Sequence, residues 1–172
     1  MTVRVRNYGV VIKGIEIIMY NHEPENYDCL LCKIADGEET DLNKRTDVIF
    51  EDDSVIAYIS PKWWINNPGN VMVVPKLHIE NVYDIPDELL HKVYSLGKQV
   101  ALGMKETYKC DGISFRQHNE PAGNQDVWHF HLHVFPRWGD DQLYINHQKK
   151  KFVNAEKRLP YAEKLKGYFQ NL

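Results

Sequence analysis

Val127-Trp128-His129-Phe130-His131-Leu132-His133-Val134-Phe135-Pro136-Arg137 is the stretch on which the chain's reading turns. Side chains alternate faces along a strand, so His129, His131 and His133 are expected to project together, with Phe130, Leu132 and Val134 turned to a core. Neighbouring imidazoles are then rooted about 6.5–7 Å apart, close enough to address adjacent groups of one substrate, or a metal and a substrate separately. They are too spread for all three to bind one ion, because zinc–nitrogen bonds are only about 2.0–2.1 Å long. An ordinary wet strand face would carry Thr, Lys or Glu. Three of the chain's eight histidines on one such face point instead to acid, base, nucleophile or ligand chemistry near neutral pH.

Working outward, the pattern from Val48 to Lys76 predicts a hairpin, with Val55-Ile56-Ala57-Tyr58-Ile59 and Asn70-Val71-Met72-Val73-Val74-Pro75 as its strands and turn chemistry at Asn66-Asn67-Pro68-Gly69 between them. Pro86-Asp87-Glu88 opens a helix whose apolar residues Leu89, Val93, Leu96, Val100 and Met104 recur at three- and four-residue spacing. After Asp111-Gly112 a strand runs from Ile113 to His118, then a loop from Asn119 to Asp126 leads into the histidines. A last helix is expected over Ala155 to Phe169, with Pro160 at a first turn or a kink. Upstream, Val3, Val5, Val10, Val11, Ile12, Ile15, Ile17 and Ile18 are compatible with one or two short strands broken at Gly9 and Gly14, and Met19 is an alternative start. Strands around one long helix point to an α+β fold with an antiparallel sheet.

A second constellation is Cys29-Leu30-Leu31-Cys32, whose spacing allows two thiolates to grip one zinc ion. The missing ligands must come from far along the chain, and His78 and His129 are the candidates. A reduced, metal-free pair and a redox pair are the alternatives; the second lacks the strand-to-helix context of a thioredoxin-like motif.

The 172 residues suit one domain with a sizeable core. A net charge of −3 gives no general attraction to nucleic acid polymers or anionic membranes, so phosphate recognition must be local and the ligand small. Three cysteines, with Cys110 alone, do not form a disulfide framework, which favours the cytoplasm; Val10 to Met19 is too short and interrupted to span a bilayer.

Together these residues resemble the histidine-triad (HIT) family of nucleotidyl hydrolases and transferases, in its zinc-containing bacterial-type branch. The family motif reads here as His129-Phe130-His131-Leu132-His133-Val134-Phe135, accompanied by Asp36-Gly37-Glu38, Asn67-Pro68-Gly69, Val73-Val74-Pro75-Lys76 with His78, Arg116-Gln117, Asn119, Gln125 and Pro136-Arg137. The similarity runs from residue 27 to 138, which leaves 1–26 as an extension of uncertain role and 139–172 as a tail packed on the same domain. It implies about five antiparallel strands, a central and a C-terminal helix, and a sheet continued across a homodimer. It also implies a purine nucleotide site and attack by His131 on an α-phosphorus, giving a nucleotidyl-histidine that water resolves to a nucleoside monophosphate. His133 and Gln125 would donate to the phosphate oxygens, and Asn119 would position the phosphate or ribose.

The chain departs from the family pattern at several places. Ser60 stands where an Asp usually holds the ribose, and Asp126 stands where a hydroxyl residue often follows Gln125, putting a carboxylate beside phosphates. Trp63 and Trp64 are candidates to wall the base pocket or to pack in a core or dimer contact. Lys149-Lys150-Lys151 is either a solvated run or a phosphate-steering edge. The expected substrate is a dinucleoside polyphosphate or a nucleoside phosphoramidate. A phosphorylase-type nucleotidyltransferase and a catalytically weak nucleotide-binding regulator are the rivals.

Overall fold

The computed structural model describes residues 10–12, 15–17, 20–146 and 148–172. The expected strand residues Val3, Val5 and Ile18, the breaks at Gly9 and Gly14, and Met19 lie outside the described residues. Strands β1 (Val10–Ile12) and β2 (Ile15–Ile17) pair antiparallel. A short helix, α1 (Leu30–Ala35), follows, its first turn capped by the Cys29 thiol, which accepts from the Cys32 amide. The sequence pattern did not announce this helix.

The main sheet uses β3 (Val48–Glu51), β4 (Val55–Ile59), β6 (Val71–Pro75), β7 (Gly112–Arg116) and β8 (Leu132–Arg137), in the order β3-β4-β6-β8-β7 and antiparallel throughout. β4 and β6 pair as expected, Val55 opposite Pro75 and Ile59 opposite Val71. Their connection is longer than a simple hairpin, because β5 (Lys62–Trp64) leaves the sheet between them and pairs with β9 (Lys150–Phe152). The turn at Asn66 to Gly69 therefore closes β5. Gly69 has φ +77°, and a Cβ there would run into the ring of Tyr161, so no larger residue fits.

Helix α2 (Asp87–Thr107) covers one face of the sheet. Val93, Leu96, Val100 and Met104 pack there on Val55, Ala57, Ile59, Val71, Val73, Phe130, Leu132 and Val134. Ile56, Tyr58, Met72 and Val74 point to the other face, where Cys29, Leu31 and Ile34 of the α1 segment meet them. β4 and β6 are thus buried on both sides, which is why they read as continuous apolar runs.

Helix α3 (Ala155–Gln170) starts at Asn154, whose side chain accepts from the Lys157 amide. Pro160, expected at a first turn or a kink, falls in the second turn of the helix. The helix is fastened by Arg158, whose guanidinium donates to both carboxylate oxygens of Asp47 at 2.8 and 2.7 Å and to the carbonyls of Leu42 and Val153. Both side chains of this pair are buried, at 3% and 1% exposure. A comparable clasp follows β8, where Asp141 accepts from Arg137 at 2.6 and 2.8 Å, from Asn67 at 2.8 Å, and from the amides of Trp138 and Leu143.

Truncating Arg158 to Ala strands the buried Asp47 carboxylate, and urea denaturation should show a loss of about 3–5 kcal/mol. The Arg137 guanidinium, helped by backbone amides and Asn67, holds the Asp141 carboxyl well below the usual range. Its stabilising effect is complete above the unfolded value of about 3.9 and is lost as pH falls through the lower folded one. Asp141→Asn should therefore flatten the pH dependence of stability below about pH 4, as read by unfolding midpoints across acid buffers.

Candidate active site and metal centre

Cys29, Cys32, His78 and His129 converge, their ligand atoms all within 4.8 Å of one another. Cys29 Sγ lies 3.3 Å from His129 Nδ1, and Cys32 Sγ lies 3.1 Å from His78 Nδ1 and 3.4 Å from His129 Nδ1. A tetrahedral zinc ion with ordinary bond lengths sets sulfur and nitrogen about 3.6 Å apart, so the donor set and its spacing fit zinc. The outer nitrogens agree: His129 Nε2 is 2.9 Å from the Pro75 carbonyl and His78 Nε2 is 2.8 Å from the Glu23 carboxylate. A proton on each Nε2 satisfies both contacts and leaves each Nδ1 lone pair facing the cluster. Burial pulls His129 down to about 4, which keeps it in the neutral, ligating form. Burial and the neighbouring Cys29 push the Cys32 thiol up to about 12, the reverse of the lowered thiolate a redox nucleophile needs. A bound zinc would tie α1 and the Glu23 segment to the sheet.

The ladder of β8 begins at Leu132, five residues later than the start of the quoted stretch. The backbone before it bonds to a neighbouring loop, Phe130 donating to the Ile79 carbonyl at 2.6 Å. The alternation nevertheless survives, with Phe130, Leu132 and Val134 in the α2 core and the imidazoles turned away. His131 Nδ1 donates to the carbonyl of His129 at 2.7 Å. That bond fixes the tautomer and leaves the Nε2 lone pair available. Burial holds both His131 and His133 below the ordinary histidine range, hence neutral. Their rings lie 5.0 Å apart and nearly perpendicular, and His133 Nδ1 is buried with no hydrogen-bond partner.

His133 borders both compartments of a cleft, and His131 borders the first of them. One, of about 160 Å³, has an apolar wall of Leu30, Leu31, Leu42, Tyr58, Met72 and Phe152. The buried Asn43 borders it with an unpartnered Nδ2, a polar group that no motif signalled. The other, of about 380 Å³, is lined by Arg116, His118, Gln148 and Lys150. Trp64 borders both compartments, whereas Trp63 is a core residue whose indole donates to the Ser60 carbonyl. Ser60 is buried, and its hydroxyl bonds to the backbone of Lys62. A larger, open depression of about 620 Å³ lies over the metal cluster and contains neither His131 nor His133.

Gln125 and Asn119, expected at the phosphate, have their amides committed to protein groups. Gln125 donates to the carbonyls of Glu80 and Val127 and accepts from the Glu120 amide. Asn119 accepts from the Val82 amide and exchanges bonds with the Gln117 amide. Both fasten the loop between β7 and β8 to the segment after His78. Asp126 is 62% exposed and lies between two ammonium groups, 3.9 Å from Lys62 and 3.8 Å from Lys150.

The HIT-domain family model matches residues 41–140. The protein Hit of Bacillus subtilis is 30% identical over 118 residues, 69% of this chain and 75% of that protein. Among solved structures, a Hit-like protein involved in cell-cycle regulation from Bartonella henselae superimposes with a TM-score of 0.70 at 28% identity, covering 82% of this chain and 96% of that one. A zinc-bound histidine triad protein from Mycobacterium smegmatis shares the fold with a TM-score of 0.67 at 24% identity, over 84% and 94% of the two chains.

Elemental analysis of protein purified without chelator should find about one zinc per chain, lost when Cys29 and Cys32 are both replaced by Ser. Glu23→Gln should weaken zinc binding about 10–100-fold in a chelator competition, because its carboxylate orients His78.

Proposed function

Because the chain belongs to the HIT-domain family of nucleotide-binding hydrolases and transferases, we propose that it hydrolyses nucleotides at the α-phosphorus through a nucleotidyl-histidine on His131. The substrate is a dinucleoside polyphosphate or a nucleoside phosphoramidate, and the product a nucleoside monophosphate. The observation that carries this is the 2.7 Å bond from His131 Nδ1 to the His129 carbonyl, which leaves a neutral, buried imidazole with its Nε2 lone pair as nucleophile.

His133, neutral and with an unpartnered ring nitrogen next to that nucleophile, supplies a donor to a phosphate oxygen as charge builds there. The apolar compartment takes the base, with Trp64 as a stacking wall. Gln125 and Asn119 shape the phosphate side of the cleft by fixing the backbone of its loop, which differs from the direct phosphate contact implied by the family resemblance.

A homodimer belongs to the same proposal. β7 is an outer strand of the sheet, and Phe115 on it, with Tyr94 and Leu102 of α2, exposes an apolar face that a second copy would cover. Among the described residues no helix is long and apolar enough to cross a membrane. The free thiols of Cys29, Cys32 and Cys110 are in keeping with the reducing cytoplasm.

His131→Ala should lower nucleoside monophosphate release by at least about 10³-fold in a panel of diadenosine polyphosphates and an adenosine phosphoramidate. Unchanged turnover would sink the assignment. With inorganic phosphate added, the wild type should still give the monophosphate; a nucleoside diphosphate would mark a transferase.

A further inference from the structure

The ribbon formed by β5 and β9 pairs Lys62 with Phe152 and Trp64 with Lys150. Residues directly opposite across strands share a face, as do residues two apart, so these four side chains project together. All four border the apolar compartment with His131 and His133. Each ammonium group also lies over an aromatic ring, Lys62 at 5.6 Å from Phe152 and Lys150 at 5.5 Å from Trp64. Of the basic run at 149–151, Lys150 alone lines the cleft, while Lys151 pairs with Trp63 on the ribbon's other face.

Lys150 lines the second compartment as well, together with Arg116 and His133. Asp126, which lines both compartments, lies between the ammonium groups of Lys62 and Lys150 and so brings both to their shared border. Burial, and then the nearby Lys150, pull Lys62 below the ordinary lysine range, against the opposing pull of Asp126.

Resting on the hydrolase reading above, we propose that Lys62 and Lys150 bind the leaving phosphate, and that the chain prefers nucleotides whose α-phosphorus carries a further phosphate over those whose α-phosphorus carries an amine. The chemistry separates the two classes. His131 Nε2 forms a bond to the α-phosphorus while the bond to the bridging oxygen breaks, and that electron pair stays on the oxygen. The leaving phosphate departs with one more negative charge and needs cations but no proton. Water then attacks the same phosphorus, the phosphorus–nitrogen bond breaks with its pair returning to Nε2, and one proton is released to solvent. An amine must instead collect a proton as it leaves. The groups at hand, the ammonium ends of Lys62 and Lys150 on either side of Asp126, stabilise a departing anion and do nothing for an amine that leaves uncharged.

The test compares kcat/KM for diadenosine tetraphosphate and for adenosine phosphoramidate, which share the nucleotide and differ in the leaving group. The wild type should favour the polyphosphate at least tenfold, Lys150→Met and Lys62→Met should each cut that ratio at least tenfold, and Lys150→Arg should restore most of it. Melting curves check that the variants fold, and the use of a ratio removes any general loss of active protein. A ratio that moves less than threefold in both Met variants, or a wild type that favours the phosphoramidate, overturns the proposal while leaving the hydrolase reading intact. Failure of the wild type to cleave either compound removes that reading and this proposal with it.

Discussion

The carbonyl of His129 is the point on which the site depends. It accepts the Nδ1 proton of His131, while the imidazole of the same residue is fixed between two thiols and the Pro75 carbonyl. One residue thus orients the proposed nucleophile with its main chain and completes the metal cluster with its side chain. Its neighbour Phe130, fully buried under α2, keeps the backbone between the two histidines from rotating. The tautomer of His131 follows from that rigidity and needs no carboxylate partner.

The segment from His78 to Val82 extends this arrangement. His78 is a member of the cluster, Ile79 accepts from the Phe130 amide, the Glu80 carbonyl accepts from Gln125, and Val82 donates to Asn119. The Glu80 carboxylate meanwhile holds the amides of His22 and Glu23. A handful of consecutive residues therefore joins the N-terminal segment, the metal centre and the loop flanking the cleft. The amides of Asn119 and Gln125 are best understood as part of this bracing.

Much of this was legible in the sequence because side-chain periodicity and ligand chemistry are local. The spacing of Leu89, Val93, Leu96, Val100 and Met104 located α2 to within a few residues, and the softness of two thiols and two imidazoles selected the metal-holding set. Pairings between distant short segments were not legible. β5 and β9 are three residues each, too short for a period, and Lys150 and Lys151 differ only in which face the ribbon gives them. Glu23, Asn43 and the partners of Gln125 were hidden for a related reason, since a contact with a remote backbone or ring nitrogen leaves no mark on neighbouring residues.

His131 and the two ribbon lysines belong to parts of the fold with separate supports. His131 is held by the sheet and its core, whereas Lys62 and Lys150 ride on a ribbon outside that sheet, Lys62 on the excursion between β4 and β6 and Lys150 on the strand between the Asp141 clasp and the buried Arg158 of α3. The tail between those two anchors can change length or charge without disturbing the alternation at 129–133. On the proposed reading, the two halves of the site are separable in evolution: the ribbon lysines can be exchanged, and with them the preferred leaving group, while the histidine strand is inherited unaltered.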